Sequence, residues 1–268
     1  MKRHPIATLV LVLVTVLVFV LLYGPIFIPI VTSFFNVKYG QVDWSTLTVS
    51  AYQKLTQNDS VLEAVENTFI VGLSAVVASL ILGTVIALHV NSGQSRARGF
   101  LQFVVFLPFL MPPIITGLSL LIFFREVDIP RSMVTIVIGH TVFVLALVYR
   151  TILVRLQGIG HSMIEASYDL GASASQTFFY VLLPNLKSAM IGAGVLAFAL
   201  SFDETMITIL VTGTQNTLPI RLWGMMRLGF TPDNNALVAI ILALTTVMVL
   251  VSARYLIPKE FAGSDGAG

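Results

Sequence analysis

Six long apolar runs, separated by polar or turn-forming stretches, dominate the pattern of this 268-residue chain. They fall at roughly residues 6–30, 64–90, 100–124, 133–154, 188–212 and 236–257, each near the ~20 residues a membrane-crossing helix needs. None alternates with a period of two, and only helices or closed barrels cross a bilayer. The pattern therefore predicts an all-α polytopic membrane protein: one transmembrane domain over 1–268 with six transmembrane helices. The joining stretches are a polar and aromatic loop at 31–63, the short NSGQSRARG and REVDIPRS, a polar segment around 155–187, and TGTQNTLPIRLWGMMRLGFTPDNN.

Composition agrees. The chain is 56% hydrophobic and 10% charged, with a mean hydropathy of +0.92, whereas soluble domains carry about a quarter charged residues. Cysteine is absent, which excludes disulfides and thiolate metal sites. A net charge of +2 without a run of Lys and Arg excludes a nucleic-acid partner. The N-terminal apolar run is longer than the core of a signal peptide and lacks a small-x-small cleavage site, so it is expected to stay as the first span. Lys2, Arg3, Arg96, Arg98, Arg150, Arg155, Lys187, Arg254 and Lys259 fall on one side of the six spans. Lys38, Lys54, Arg125, Arg131, Arg221 and Arg227 fall on the other. The positive-inside rule then puts both termini in the cytoplasm. Pro108, Pro112 and Pro113 interrupt the third span, either as an ordinary kink or as a broken wall beside a pathway.

The segment EASYDLGASASQTFFYVLLP interrupts this pattern on the cytoplasmic side. Ser162 and Glu165 have the spacing of a capping box, Gly171 suits the left-handed residue that ends a helix, and Ser173 with Gln176 repeats the box. The spacing predicts two short helices joined by a glycine turn. Phe179, Leu182, Leu183 and Leu186 would share one apolar face of the second helix, and Pro184 would mark its bend toward the fifth span. Such a face needs cover, from the membrane surface or from a partner protein.

Glu165, Ala166, Gly171, Leu183 and Pro184 stand in the register of the EAA loop of ABC importer permeases, which the segment resembles. Ser167 replaces the second alanine of that pattern and Val181 its isoleucine. The resemblance implies a type I importer permease fold with a cytoplasmic coupling loop over 162–186. It also implies docking onto a separate ATPase subunit, with Phe178, Phe179 and Tyr180 bracing the joint. SFDETMITILVTG and TLPIRLWGMMRLGFTPDNNALV are similar to the second permease of spermidine/putrescine-type polyamine importers. That likeness implies a subunit of the bacterial inner membrane, paired with a second permease, two ATPase subunits and an extracytoplasmic solute-binding protein. ATP and Mg would bind the ATPase, and no cofactor this chain. Related importers carry opines and other small solutes.

Asp203 and Glu204 fall inside the fifth apolar run, where a charge facing lipid costs about 2.5–3.5 kcal/mol. At 100° per residue Ser201, Glu204, Thr205, Thr208 and Thr212 share a stripe, with Asp203 nearly opposite. Counted from residue 188, Glu204 would stand roughly 24 Å along the span. The stripe is either an interhelical hydrogen-bond cluster or the lining of a pathway suited to a cation, with Asp203 as a structural brace. His4, His89, His140 and His161 lack ligand spacing, so packed or interfacial roles are expected and no metal site. No phosphate-binding loop or nucleophile elbow is present, so the chain is expected to be non-catalytic. An ion-coupled secondary transporter is the alternative from another class, but its inverted repeats are not evident between the halves.

Overall fold

A computed structural model describes residues 5–38, 41–92, 97–227 and 231–256. Lys2, Arg3, Arg96 and Lys259 of the charge count, His4 and the last residue of the expected sixth span lie outside them, as do the side chains of Lys38, His161 and Arg254. The helices are α1 (Pro5–Thr32), α2 (Ser50–Thr56), α3 (Asp59–Asn91), α4 (Arg98–Leu110), α5 (Pro113–Glu126), α6 (Met133–Gln157), α7 (His161–Asp169), α8 (Ala174–Gln176), α9 (Leu183–Asp203), α10 (Met206–Val211), α11 (Leu218–Arg227) and α12 (Pro232–Leu256). A π-helical turn, Thr177–Leu182, joins α8 to α9. Five helical stretches among the described residues are long and apolar enough to cross a membrane, and the bent pair α4–α5 makes a sixth. The chain is an all-α polytopic membrane protein.

The chain divides into two compact units, Met1–Leu62 with Arg221–Leu244, and Glu63–Ile220 with Thr245–Gly268. In the first, residues 8–23 of α1 are exposed without exception, as suits a helix that is apolar all round. The hairpin β1 (Phe35–Lys38) and β2 (Gln41–Leu47) follows, an element the hydropathy pattern did not predict. Val37 pairs with Val42 and Asn36 with Asp43, and a register shift lies at Phe35/Asn36. Phe35 packs edge-on against Trp44 with ring centres 5.0 Å apart. Ser33 Oγ meets Tyr52 OH at 2.7 Å, and Asn235 Nδ2 donates to Thr32 Oγ1 at 3.0 Å.

The second unit is built around α6, whose Ile136, Val144, Val148, Tyr149, Ile152 and Leu153 are buried. It packs on α4, α5, α9 and α10. Gly117 and Gly139 allow the closest approaches. A Cβ on Gly117 would stand 3.0 Å from Ile207 Cα, and one on Gly139 would stand 2.7 Å from Ile207 Cγ2. In hydrocarbon such small residues let helices meet by dispersion where no hydrophobic drive exists.

Two expected spans are broken. The third bends by 110° between α4 and α5. Pro108 stays within α4, but Met111 (ψ 146°) is pushed to extended backbone by Pro112, and Pro113 opens α5. The fifth was expected as one helix over 188–212. It starts earlier, running on from the coupling segment into α9 at Leu183, and ends at Asp203. Glu204 (ψ 110°) interrupts it before α10. Pro184 sits in the first turn of α9 without bending the chain away, and the π-helical turn just before it widens the helix where the proline amide is missing.

Overpacking at the α5–α10 contact should be costly. Gly117→Val is expected to lose about 1–3 kcal/mol, seen as a lower melting temperature and yield of detergent-solubilised protein. Gly99→Ala, with no atom within 4 Å of its Cβ, should match wild type.

Candidate functional site: a coupling segment and a broken span

The segment over 162–186, expected as a coupling loop, is held by backbone chemistry. Helix α7 ends in a Schellman motif: Ala172 N donates to Ser167 O at 3.0 Å and Gly171 N to Tyr168 O at 2.8 Å. Gly171 has φ +81°, where a side chain would be strained. Ser173 then caps α8 with both bonds of the expected box, Ser173 N to Gln176 Oε1 at 2.8 Å and Gln176 N to Ser173 Oγ at 3.3 Å. The first expected box does not form. Gly160 caps α7, so Ser162 already lies inside the first turn and Glu165 is left exposed without a capping bond.

Ser167, the departure from the family's alanine, is buried and faces Thr177 across the turn. Its hydroxyl donates to Ile164 O at 2.7 Å and meets Thr177 Oγ1 at 2.9 Å, tying α7 to the π-helical turn. Arg155 Nε donates to Asn185 O at 3.0 Å, and Asn185 Nδ2 to Val181 O at 2.7 Å. The expected apolar face is split, because a π-helical turn advances its side chains out of α-helical register. Leu182 and Leu186 are buried, Leu183 half-buried and Phe179 exposed. Ala166 and Pro184 are exposed, and Phe178 stacks edge-on against Phe179 with ring centres 5.0 Å apart. Leu170, 88% exposed, and Tyr180, 79% exposed, stand out as apolar groups held on a rigid frame.

The second feature is the break after Asp203. Glu204, 7% exposed, folds back so that Oε1 accepts Ile207 N at 2.9 Å and caps α10. Thr208 Oγ1 donates to Glu204 O at 2.8 Å. His140 on α6 reaches both sides of the break, Ser201 Oγ at 2.7 Å and Thr208 Oγ1 at 2.6 Å. Thr135 Oγ1 donates to Val211 O at 2.7 Å at the far end of α10. The helical projection stops applying at the break. Ser201, Glu204 and Thr208 come together as buried groups, Thr205 and Thr212 are half-buried, and Asp203 is exposed. Thr212 Oγ1 donates to Gln215 O and starts a loop pinned by Asn67 Nδ2 on Asn216 O at 3.1 Å. Sequence reasoning missed the part His140 takes. The signal was there in IVIGHTVF, since a buried imidazole in such a run needs polar partners. A wholly apolar groove of about 480 Å³, lined by Leu73, Val76, Leu80, Gly194, Phe198 and Met248 among others, offers a cation no acceptor.

The helices form the all-α polytopic fold of ABC importer permeases. Residues 68–259 match the family described as binding-protein-dependent transport system inner membrane component, and the chain belongs to that family. It is 32% identical to the spermidine/putrescine transport system permease protein PotC of Escherichia coli (strain K12), covering 86% of this chain and 88% of that one. It is 34% identical to the putrescine transport system permease protein PotI of the same strain, over 89% and 87% of the two chains. Among solved structures it resembles a chain of the bacterial alginate ABC transporter in complex with alginate pentasaccharide-bound periplasmic protein. The TM-score is 0.69 at 14% identity, over 99% and 98% of the chains.

Ser167→Ala would leave the buried Thr177 hydroxyl without its partner, at about 1–3 kcal/mol. Adding Thr177→Val removes that stranded group. The double variant should therefore resist proteolysis of the loop better than Ser167→Ala alone.

Proposed function

We propose that this chain forms half of the translocation pathway of an ATP-driven polyamine importer of the spermidine/putrescine class. It works with a second permease subunit, two ATPase subunits and an extracytoplasmic solute-binding protein, in the bacterial inner membrane with both termini cytoplasmic. ATP and Mg belong to the ATPase, and the chain itself is non-catalytic. One observation carries the reading: the loop at 162–186 presents exposed Tyr168, Leu170, Phe179 and Tyr180 on a preorganised helix–turn–helix. Ordering is done before docking, so little conformational entropy is lost on engagement. The cargo assignment draws on the likeness to PotC and PotI over nearly the whole chain. The periplasmic protein bound to the alginate transporter supports a delivery partner of the same kind.

The acidic pair at the break suits a polyvalent cation. Asp203, expected as a structural brace, instead offers an exposed carboxylate next to Glu204, which with Ser201, Thr205, Thr208 and Thr212 is the lining of the pathway in this reading. Negative charge in a passage with low-dielectric walls concentrates cations.

Leu170→Ser with Tyr180→Ser alters only exposed side chains, so membrane insertion should persist while ATPase co-purification falls about tenfold or more. Unchanged co-purification would remove the docking surface. Orientation is checked separately in this cysteine-free chain. Ser175→Cys should label only from the cytoplasm and Asn216→Cys only from outside.

The acids are tested by charge removal that keeps shape. Asp203→Asn with Glu204→Gln retains an oxygen for the Ile207 amide, so assembly should persist, and spermidine uptake should fall about tenfold. Wild-type uptake by this double variant would end the charged-pathway reading.

A further inference from the structure

We infer that His140 is a positioning residue for transport, a clamp that sets the backbone carrying Asp203 and Glu204; the transport consequence rests on the pathway reading above. His140 is 1% exposed, and both ring nitrogens are engaged. Its two partners flank the break: Ser201 lies in the last turn of α9 and Thr208 lies in α10.

The clamp is incompatible with an unbroken helix. Two oxygens hydrogen-bonded to one imidazole lie within about 7 Å of each other. Seven residues of continuous α-helix would separate Ser201 from Thr208 by about 10 Å along the axis. Both bonds form only when the chain is bent at Glu204.

The Thr208 hydroxyl fixes the direction of one of the two bonds. The Thr208 hydroxyl donates its one hydrogen to Glu204 O, so toward His140 it can only accept. Nε2 therefore donates to Thr208, and Nδ1 meets the Ser201 hydroxyl at 2.7 Å. The bonds link Ser201 through His140 to Thr208 and end on the carbonyl of Glu204. That residue's ψ of 110° makes the break. His140 touches neither acid, yet it restrains the backbone that holds both.

The test uses the assembled transporter: labelling is read with Thr205→Cys as the only cysteine of this chain, at a half-buried position in the break, and uptake is read in a transporter that keeps Thr205. His140→Leu keeps bulk and removes both bonds, while His140→Gln keeps a donor and an acceptor. With His140→Leu the labelling rate of Thr205→Cys should change about fivefold or more, and the half-saturating spermidine concentration should rise about tenfold or more. His140→Gln should recover most of each. Unchanged labelling overturns the clamp. Changed labelling with unchanged half-saturation, in a transporter whose uptake does depend on the acidic pair, limits His140 to packing and overturns its positioning role. If Asp203→Asn with Glu204→Gln already transports normally, changed labelling upholds the clamp and the failure belongs to the pathway reading. Should His140→Leu not assemble, Ser201→Ala and Thr208→Val each cut one bond of the clamp. Neither shifting the labelling rate would refute it.

Discussion

Within hydrocarbon every backbone amide and carbonyl must find a partner inside the protein, and each unmet group costs several kcal/mol. A continuous helix meets this demand by itself. A broken one does not, and the two breaks are where side chains must take over. At Glu204 a carboxylate oxygen receives the Ile207 amide, and Thr208 returns a bond to the Glu204 carbonyl. At the α4–α5 bend the prolines have no amides to satisfy, and Thr116 Oγ1 reaches Pro108 O at 3.3 Å. The rest of the second unit is arranged around keeping these substitutions in place. Gly117 and Gly139 bring α5 and α6 close to α10, and Thr135 and His140 hold α10 at two levels.

The segment over 162–186 meets a different demand, because it lies between the last two pairs of spans and carries exposed apolar groups. Its stiffness comes from short-range bonds: the Schellman ending at Gly171, the Ser173 cap and the Ser167–Thr177 hydroxyl pair. From the π-helical turn the chain passes into α9 with helical backbone throughout. A displacement of the loop therefore has a stiff rod to act on, and that rod ends at Asp203. Coupling between distant sites needs such rigid elements together with a bistable one.

Much was legible in the sequence because it depends on local or one-dimensional properties. Apolar length decides that a run can span, whatever its neighbours are. Gly171 and the Ser173–Gln176 box depend on residues within a few positions of one another, and both formed. Membership of the permease family followed from Glu165, Ala166, Gly171, Leu183 and Pro184 at fixed spacing, and the match over 68–259 shows it. The hairpin after α1 was not legible, since its strands are short and its pairing joins residues by register rather than by hydropathy.

What the sequence by itself determined is the class of fold, the number of apolar runs and the local geometry of the Gly171 turn, because these depend on apolar length and on neighbours along the chain. The tertiary structure alone decided where the fifth span stops. No propensity marks Glu204 as a break: glutamate is a good helix former. Glu204 Oε1 and Thr208 Oγ1 supply the backbone bonds that the interrupted helix lacks, and His140, 61 residues from Ser201 and 68 from Thr208, ties together the hydroxyls on its two sides. For the same reason the exposure of Asp203 and the burial of Glu204 could not be projected from 100° per residue. A helical wheel holds only while the helix does, and here a third helix decides where it ends.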